Sequence, residues 1–338
     1  MNKQIFTVIG LLLGQFVFAQ LGGRETYQFL NLPISPSQAA LGGKNVTVYN
    51  YDVNQAFMNP ASINEAMDNQ VALNFSKYYG DLNYGTMAYS KKFKNDRQFQ
   101  IGVQYLNYGS MDGYDENGFE TGSFTGNEVA VSVGYSHHIT GTNFYVGSNL
   151  KVISSKLESY GSFAAGFDFG GMYVNPETGF NAGLTLRNVG TQLDSYNDIN
   201  ENLPFEITAG ISKRLENVPV RWHLTLENLQ KWNVGFSNPN RGDVGLDGQV
   251  TEEKVSIFNN ARRHAIIGAE LFPEKKFNIR LAYNFRKGYE MKVLEQKNFS
   301  GFSAGFGFRY NRLRFDYSYS RFTLAANTSM FGLSLNLK

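Results

Sequence analysis

Residues 277–285 have the sequence Phe-Asn-Ile-Arg-Leu-Ala-Tyr-Asn-Phe, in which large apolar side chains alternate with polar or small ones. Successive side chains of a β-strand point to opposite faces of the sheet, so this alternation predicts a strand with one apolar and one polar face. The same pattern runs through 302–310, 313–320, 331–337 and 128–136. The chain is therefore predicted to be all-β.

The alternating runs from Gln70 onward number about fourteen, and closed bacterial barrels have an even number of strands. The predicted strands are 70–78, 83–93, 98–107, 127–137, 143–155, 160–174, 180–189, 203–214, 218–229, 264–272, 277–287, 301–310, 313–322 and 328–337. The long connections, 108–126, 190–202, 230–263 and 288–300, all follow odd-numbered strands. Long loops on one side and short turns on the other are typical of outer-membrane barrels.

The composition fits a barrel in lipid better than a soluble sandwich. Charged residues are only 18% of the 338 residues, aromatic residues are 15%, and there is no Cys. The polar face is rich in Gly and Ser with scattered charges, as expected of a barrel lumen. Aromatic residues near strand ends suit the lipid–water boundary: Tyr283, Phe285, Tyr310, Tyr317 and Tyr319. We predict a transmembrane antiparallel β-barrel (residues 70–338) in the outer membrane of a Gram-negative bacterium.

The N-terminus has the three-part pattern of a secretory signal peptide. Lys3 precedes an apolar run from Ile5 to Leu13, and small residues follow at Val17 and Ala19. We predict cleavage after residue 19, which leaves both termini of the mature chain in the periplasm and the long loops at the cell surface.

Residues 20–69 lack sustained alternation and are too long for a simple tail. Ser35 and Pro36 are predicted to begin a short helix, and Asn59-Pro60 marks a turn. A barrel of about fourteen strands is wide enough to hold more than side chains. We therefore predict a hatch segment inside the lumen, with a periplasmic tail as the alternative.

No catalytic or cofactor-binding pattern is found. The adjacent His137 and His138 would point to opposite faces of a strand, which is a poor arrangement for a shared metal. Acidic residues and arginines fall at lumen positions, where we expect ion pairs: Asp168, Glu206, Glu227, Glu270, Arg187, Arg280, Arg309 and Arg314. The chain is predicted to be non-enzymatic, with no metal, no cofactor and no nucleic-acid partner; an outer-membrane protease or phospholipase is the enzymatic alternative.

A family resemblance rests on residues near the start of the mature chain: Gly22, Gly23, Tyr27, Phe29, Leu30, Leu32, Pro33, Ala40, Leu41, Gly42, Gly43, Asn59, Pro60 and Ala61. In these motifs the chain resembles the PorV/PorQ family of the type IX secretion system, whose barrels are similar to the FadL fatty-acid channels. The resemblance implies an outer-membrane subunit of the attachment complex. Its implied partners are PorZ, PorU and PorV, and its implied role is to hold a PorZ-like protein while cargo is matured and attached to the cell surface.

The long connection 230–263 is the most promising recognition surface, because a loop of this length is uncommon unless it is functional or disordered. Its candidate partner-binding residues are Trp232, Phe236, Ile257 and Phe258. The alternative is a cap that folds over its own barrel. Three functions are therefore open: an attachment-complex anchor, a FadL-like channel for hydrophobic ligands, and a PorV-like cargo shuttle.

Overall fold

The computed structural model describes residues 25–78, 80–93, 97–197, 199–235, 256–291, 299–321 and 327–338. Fourteen antiparallel strands form one closed barrel, in which each strand pairs with its sequence neighbours and the last strand pairs with the first. The strands are β1 (Gln70–Lys77), β2 (Asn83–Lys92), β3 (Gln98–Tyr114), β4 (Glu120–His138), β5 (Phe144–Leu157), β6 (Tyr160–Asn175), β7 (Phe180–Asp194), β8 (Glu206–Arg214), β9 (Val220–Leu226), β10 (Ala265–Leu271), β11 (Phe277–Asn284), β12 (Phe302–Tyr310), β13 (Leu313–Arg321) and β14 (Asn327–Asn336). The predicted fold class is confirmed. The proposed signal peptide, Gly22 and Gly23 lie outside the described residues.

In the part of the chain that the structure describes, three short helices accompany the barrel: α1 (Pro36–Ala40), α2 (Ile257–Arg263) and α3 (Phe285–Glu290). Single 3₁₀ turns lie at Gln28–Asn31, Val53–Phe57, Pro60–Ser62 and Glu65–Met67. Helix α1 begins as predicted, with the Ser35 hydroxyl accepting a hydrogen bond from the Gln38 amide at 3.3 Å. Within the described ranges, no helix is long and apolar enough to cross a bilayer.

The two faces of the barrel wall differ as the alternation predicts. In the β1–β14 pair, Leu73 lies opposite Leu333 and Phe75 lies opposite Phe331, and all four side chains are exposed on the outer surface. Between them, Asn74 is buried in the lumen. A continuous outward apolar band with a polar interior is the arrangement of a barrel in lipid.

The prediction of a long connection at 108–126 is wrong. Strand β3 continues to Tyr114 and β4 begins at Glu120, so that the two strands form a long hairpin with a register shift between Asn107 and Ser110. Both faces of this extension are largely exposed. A strand that meets water on both faces carries no apolar alternation, and the sequence pattern therefore missed it.

The prediction that the eleventh strand reaches Lys287 is also wrong. The Asn284 side chain accepts a hydrogen bond from the Lys287 amide at 3.0 Å and so begins α3. Phe285 is therefore the first residue of a helix, and its ring packs edge-on against Tyr283 with centroids 5.1 Å apart. The alternation of apolar and polar residues continues by chance beyond Asn284, although the helix N-cap at that residue ends the strand.

Candidate functional site

Residues 25–69, here called the lumen segment, lie inside the barrel. Ser303 of β12 donates a hydrogen bond to the carbonyl of Ala40, and Asn149 of β5 donates one to the carbonyl of Ala56 at 2.9 Å. Strands β5 and β12 are seven positions apart in a ring of fourteen, so these contacts come from opposite walls. The lumen is therefore occupied by the chain's own N-terminal part.

The motif residues that carried the family resemblance are placed in this segment, apart from Gly22 and Gly23. They form three groups: Tyr27 to Pro33 in the first turn, Ala40 to Gly43 at the end of α1, and Asn59 to Ala61 in a tight turn. At the last of these, the Asn59 side chain accepts from the Ala61 amide at 3.0 Å and donates to the Val46 carbonyl at 2.9 Å. The motifs thus shape how the segment folds within the lumen.

One group of motif side chains fills an apolar space near the mouth, which is the barrel end that carries the longer connections. Tyr27, Phe29 and Leu30 are buried there, and the Tyr27 hydroxyl is hydrogen-bonded to Ser162. The space, here called the upper compartment, is walled by Tyr84, Leu106, Ala130, Ile153, Ala164, Leu203 and Met330. Most other buried lumen side chains are polar or charged, and the two other apolar clusters, around Phe57 and around Met172, are smaller, so this compartment is the largest apolar cluster among the described residues.

Arg187 and Glu206 attach the segment to the wall below that compartment. The Arg187 guanidinium donates to the Leu30 carbonyl at 2.6 Å and lies 3.5 Å from the Glu206 carboxylate. The Lys44 ammonium lies 2.5 Å from the same carboxylate. Because these groups are buried, pulling the segment away would leave charges without partners, which is costly.

A second buried ion pair lies within the wall. The Lys151 ammonium is 2.8 Å from the Asp168 carboxylate and 2.8 Å from the Asn188 side-chain oxygen. Asp168 also accepts hydrogen bonds from the Asn188 amide at 2.9 Å and the Asn149 side chain at 3.1 Å. Both charges of the pair thus have hydrogen-bond partners, as a buried charge requires.

A third network joins β10, β11 and β13. Arg280 lies 3.0 Å from Glu270 and 2.9 Å from Asp316, and Arg314 donates to the same aspartate. The predicted pairing of lumen charges is confirmed for Glu270 with Arg280 and for Glu206 with Arg187. Arg309 differs, because it is exposed and its guanidinium lies 5.6 Å from the centre of the Tyr51 ring.

The histidines are placed in structural positions. His138 hydrogen-bonds the Thr142 carbonyl at 2.8 Å beside a short turn, and His223 hydrogen-bonds the Asn45 side chain at 2.9 Å in the lumen. No cluster of three or more His, Asp or Glu that could hold a metal ion is found in the ranges that the structure describes.

The candidate partner-binding residues are strongly exposed where the structure describes them. Trp232, Ile257 and Phe258 are 61%, 77% and 76% exposed, and Phe236 lies outside the described residues. The Trp232 carbonyl accepts hydrogen bonds from Asn260 of α2 and from His264. These bonds hold Trp232 next to α2 at the mouth.

The turn at Asn59–Ala61 gives a test of how tightly the segment is held. A Cβ at Gly147 would lie 2.5 Å from the Pro60 carbonyl carbon. Gly171 of β6 follows Gly170, which pairs with Gly147, and a Cβ at Gly171 would meet nothing within 4 Å. Gly147→Ala should therefore lower the free energy of unfolding by about 1–3 kcal/mol and speed proteolysis of the segment, because the backbone must shift.

The matched control is Gly171→Ala, which should change the unfolding free energy by less than about 0.5 kcal/mol. Both positions have ordinary strand backbone, so conformational strain does not separate them. Equal effects of the two substitutions in urea unfolding would show that the segment does not press on the wall at Gly147.

Comparisons with known proteins bear on the fold. A scan against protein-family models finds no match, and a search of curated proteins finds none. Among solved structures, the deltaS2 mutant of the TodX monoaromatic hydrocarbon channel matches with a TM-score of 0.53 and 11% identity, covering 91% of this chain and 97% of TodX. The Ralstonia pickettii toluene transporter TbuX matches with a TM-score of 0.52 and 13% identity, covering 90% of this chain and 97% of TbuX. This chain has a FadL-type barrel fold.

A Pseudomonas aeruginosa FadL homologue also matches, with a TM-score of 0.49 and 11% identity over 91% of this chain and 98% of that one. At such identities the likeness concerns the fold alone, because one fold hosts many functions. A type IX secretion role rests on the sequence resemblance alone.

Proposed function

We propose that this chain is a non-enzymatic outer-membrane channel for a small hydrophobic molecule, closed at rest by its lumen segment. The long connections face the cell surface and both termini face the periplasm. The observation that carries the proposal is the upper compartment, an apolar space in a mostly polar lumen that is filled by side chains of a separate segment. The fold shared with TodX and TbuX, a hydrocarbon channel and a toluene transporter, supports it.

The resting state is closed to such a molecule. Two cavities that Pro33 and Ala39 help to line have volumes of about 20 and 10 Å³, enough for one water at most. An aromatic hydrocarbon therefore needs Tyr27, Phe29 and Leu30 to move. Their removal would leave an apolar, poorly hydrated chamber, which is the kind of space that binds hydrocarbons.

Phe29→Ala tests this proposal without removing the segment. The substitution empties part of the upper compartment, so it should lower the melting temperature and create a site that toluene fills. We expect toluene to raise the melting temperature of Phe29→Ala by several degrees more than that of the unchanged chain. Phe75→Ala, which removes a phenyl ring from the outer surface, is the control and should show no such gain.

Transport is measured as toluene uptake by Gram-negative host cells without hydrocarbon channels of their own, because a lipopolysaccharide layer slows toluene whereas a plain phospholipid bilayer does not. Cells that produce the unchanged chain should take up toluene faster than cells without it, and cells that produce Phe29→Ala should take it up faster still. If neither chain accelerates entry and Phe29→Ala gains no toluene binding, the channel proposal is wrong.

A second candidate function is an anchor for a surface protein, as in the attachment complex of type IX secretion. One observation favours it: Trp232, Ile257 and Phe258 are exposed together near α2, and exposed apolar groups within a polar loop suit a protein partner. Isolation from native membranes in mild detergent should then recover a large exported protein. Trp232→Ala combined with Phe258→Ala should abolish that recovery while leaving toluene entry unchanged.

A further inference from the structure

Tyr27 places a phenol ring in the upper compartment. Its side chain is 2% exposed, whereas the other buried segment side chains of this cluster, Phe29, Leu30 and Ala39, are purely apolar. The side chain of a tyrosine has the shape and the chemistry of p-cresol, which is phenol with a methyl group opposite the hydroxyl. The resting protein therefore shows one small aromatic molecule, tethered to the backbone, that the compartment accepts.

Two wall side chains bind the Tyr27 hydroxyl. The Ser162 hydroxyl donates to the Asp194 carbonyl at 2.8 Å, so in the hydrogen bond between Ser162 and Tyr27 the tyrosine is the donor. The Gln192 side-chain amide donates to the Ser162 oxygen at 3.0 Å and to the Tyr27 oxygen at 3.4 Å. The wall thus offers one acceptor and one donor, which together complement a hydroxyl group.

These two polar groups remain in place when the lumen segment moves, because Ser162 lies in β6 and Gln192 lies in β7. A hydrocarbon in the vacated space would leave both side chains without the hydroxyl that they bind at rest. A molecule with a phenolic hydroxyl would restore both hydrogen bonds. A site built to hydrogen-bond a hydroxyl discriminates strongly against an analogue that lacks it.

Two other tyrosine hydroxyls at this compartment are bonded within the wall. The Tyr84 hydroxyl accepts from the Gln104 side chain at 3.0 Å, and the Tyr108 hydroxyl donates to the Glu128 carboxylate at 2.8 Å. Neither bond changes when the segment moves, because both partners belong to strands. The two residues that bind Tyr27 differ, since their partner belongs to the segment.

The backbone of Tyr27 adopts an unfavourable conformation. Its φ of 54° and ψ of 41° lie in the left-handed region, which residues with bulky side chains rarely adopt. Such a conformation persists only where the surroundings hold it. Burial of the ring and the two hydrogen bonds of the hydroxyl supply that restraint, so a molecule that replaces the ring would also release backbone strain.

We propose that the molecule admitted by this channel is a phenol, a single aromatic ring that carries a hydroxyl group, and that it takes the place of the Tyr27 side chain. Ser162 and Gln192 are the residues that determine this specificity. The inference rests on the proposed channel function and names its substrate class. The protein should therefore prefer p-cresol to toluene, which has the same ring and methyl group without the hydroxyl.

The first test uses the full chain with Tyr27→Ala, which leaves room for one p-cresol molecule. Isothermal titration in an uncharged maltoside detergent should show tighter binding of p-cresol than of toluene. Adding Ser162→Ala should shift the ratio of the two affinities at least about tenfold in favour of toluene. Partition of the probes into detergent is the same for every variant and does not affect this shift.

The matched control adds Ser90→Ala to Tyr27→Ala. Ser90 is also fully buried, and its hydroxyl donates to the Phe99 carbonyl of the neighbouring strand at 3.0 Å, as that of Ser162 donates to Asp194. Because Ser90 is not part of the upper compartment, its loss should leave the ratio of the two affinities unchanged.

The second test depends on competition between Tyr27 and the ligand for Ser162. Tyr27→Phe removes the hydroxyl of the competitor and leaves the wall intact, so it should tighten the apparent binding of p-cresol about fivefold relative to the unchanged chain. A tyrosine with a purely structural role would not have this effect. Heat-modified gel mobility establishes that each variant has folded, and Tyr27→Phe carries the test if Tyr27→Ala does not fold.

The outcomes separate this inference from the channel proposal. Suppose that Phe29→Ala gains toluene binding, but Ser162→Ala leaves the affinity ratio unchanged or Tyr27→Phe does not tighten p-cresol binding. The phenol site is then wrong and the channel proposal stands. If Phe29→Ala gains no toluene binding and Tyr27→Ala binds neither probe, both proposals are wrong.

Discussion

Replacing Lys151 with methionine should lower the free energy of unfolding by about 3–5 kcal/mol, because Asp168 would keep a buried charge with no cation beside it. The two side chains are 2% and 0% exposed, so water cannot replace the lost partner. Equilibrium urea unfolding in phospholipid vesicles, followed by intrinsic fluorescence, measures the change.

Two further variants show whether the charge is the cause. Lys151→Met with Asp168→Asn removes both charges and should recover most of the lost stability, since the asparagine can still hydrogen-bond its neighbours. Lys92→Gln breaks the pair of Lys92 with the mostly exposed Glu65 and should cost less than about 1 kcal/mol. Similar losses in Lys151→Met and Lys92→Gln would contradict the account of the buried pair.

Deleting residues 25–69 should convert a closed barrel into a permanently conducting pore. The wall is complete without the segment, and the exposed lumen would be lined largely by polar side chains and filled by water. Conductance across planar bilayers should rise at least about tenfold over the unchanged chain, which we expect to be nearly silent.

A full-length variant tests the same prediction in case the shortened chain does not fold. Arg187→Met removes the bond to the Leu30 carbonyl and one partner of Glu206, and so should loosen the upper end of the segment. We expect brief openings that lengthen when Lys44→Met is added. If the shortened chain shows the heat-modified mobility of a folded barrel but does not conduct, the prediction that the lumen segment closes the pore is wrong.

Much of the fold follows from local sequence because each strand must satisfy two environments at once. In β11, Ile279 and Leu281 face outward while Asn278 and Arg280 face the lumen, and the sequence shows this directly. The apolar–polar alternation ends where both faces of a strand meet the same surroundings. The β3–β4 extension meets water on both faces, and α3 is governed by the cap at Asn284, which is a single residue within an alternating run.

The lumen contacts likewise include some that the local sequence predicts and some that it does not. Glu270 lies directly opposite Arg280 in the β10–β11 register, so a short turn between predicted strands brings this pair together. The attachment of Lys44 to Glu206 joins positions 162 residues apart and depends on how the segment folds inside the barrel. A polar cavity of about 160 Å³ between the segment and the wall has the same origin, because its lining comes from the segment, β8, α3 and the residues that follow β9. No local pattern marks it.

Because β1 pairs with β14, the barrel can close only after the last strand is available. Gln70 has no second wall partner until Asn336 has been synthesised and delivered, and Leu337 donates its amide to Asn69 at the same junction. Until then two unpaired strand edges are present, and hydrocarbon offers no hydrogen bonds to satisfy them. A partly assembled barrel in the membrane is therefore not a stable intermediate. Strand β14 (Asn327–Asn336) therefore closes the barrel, and without it β1 and β13 would each keep an unpaired edge.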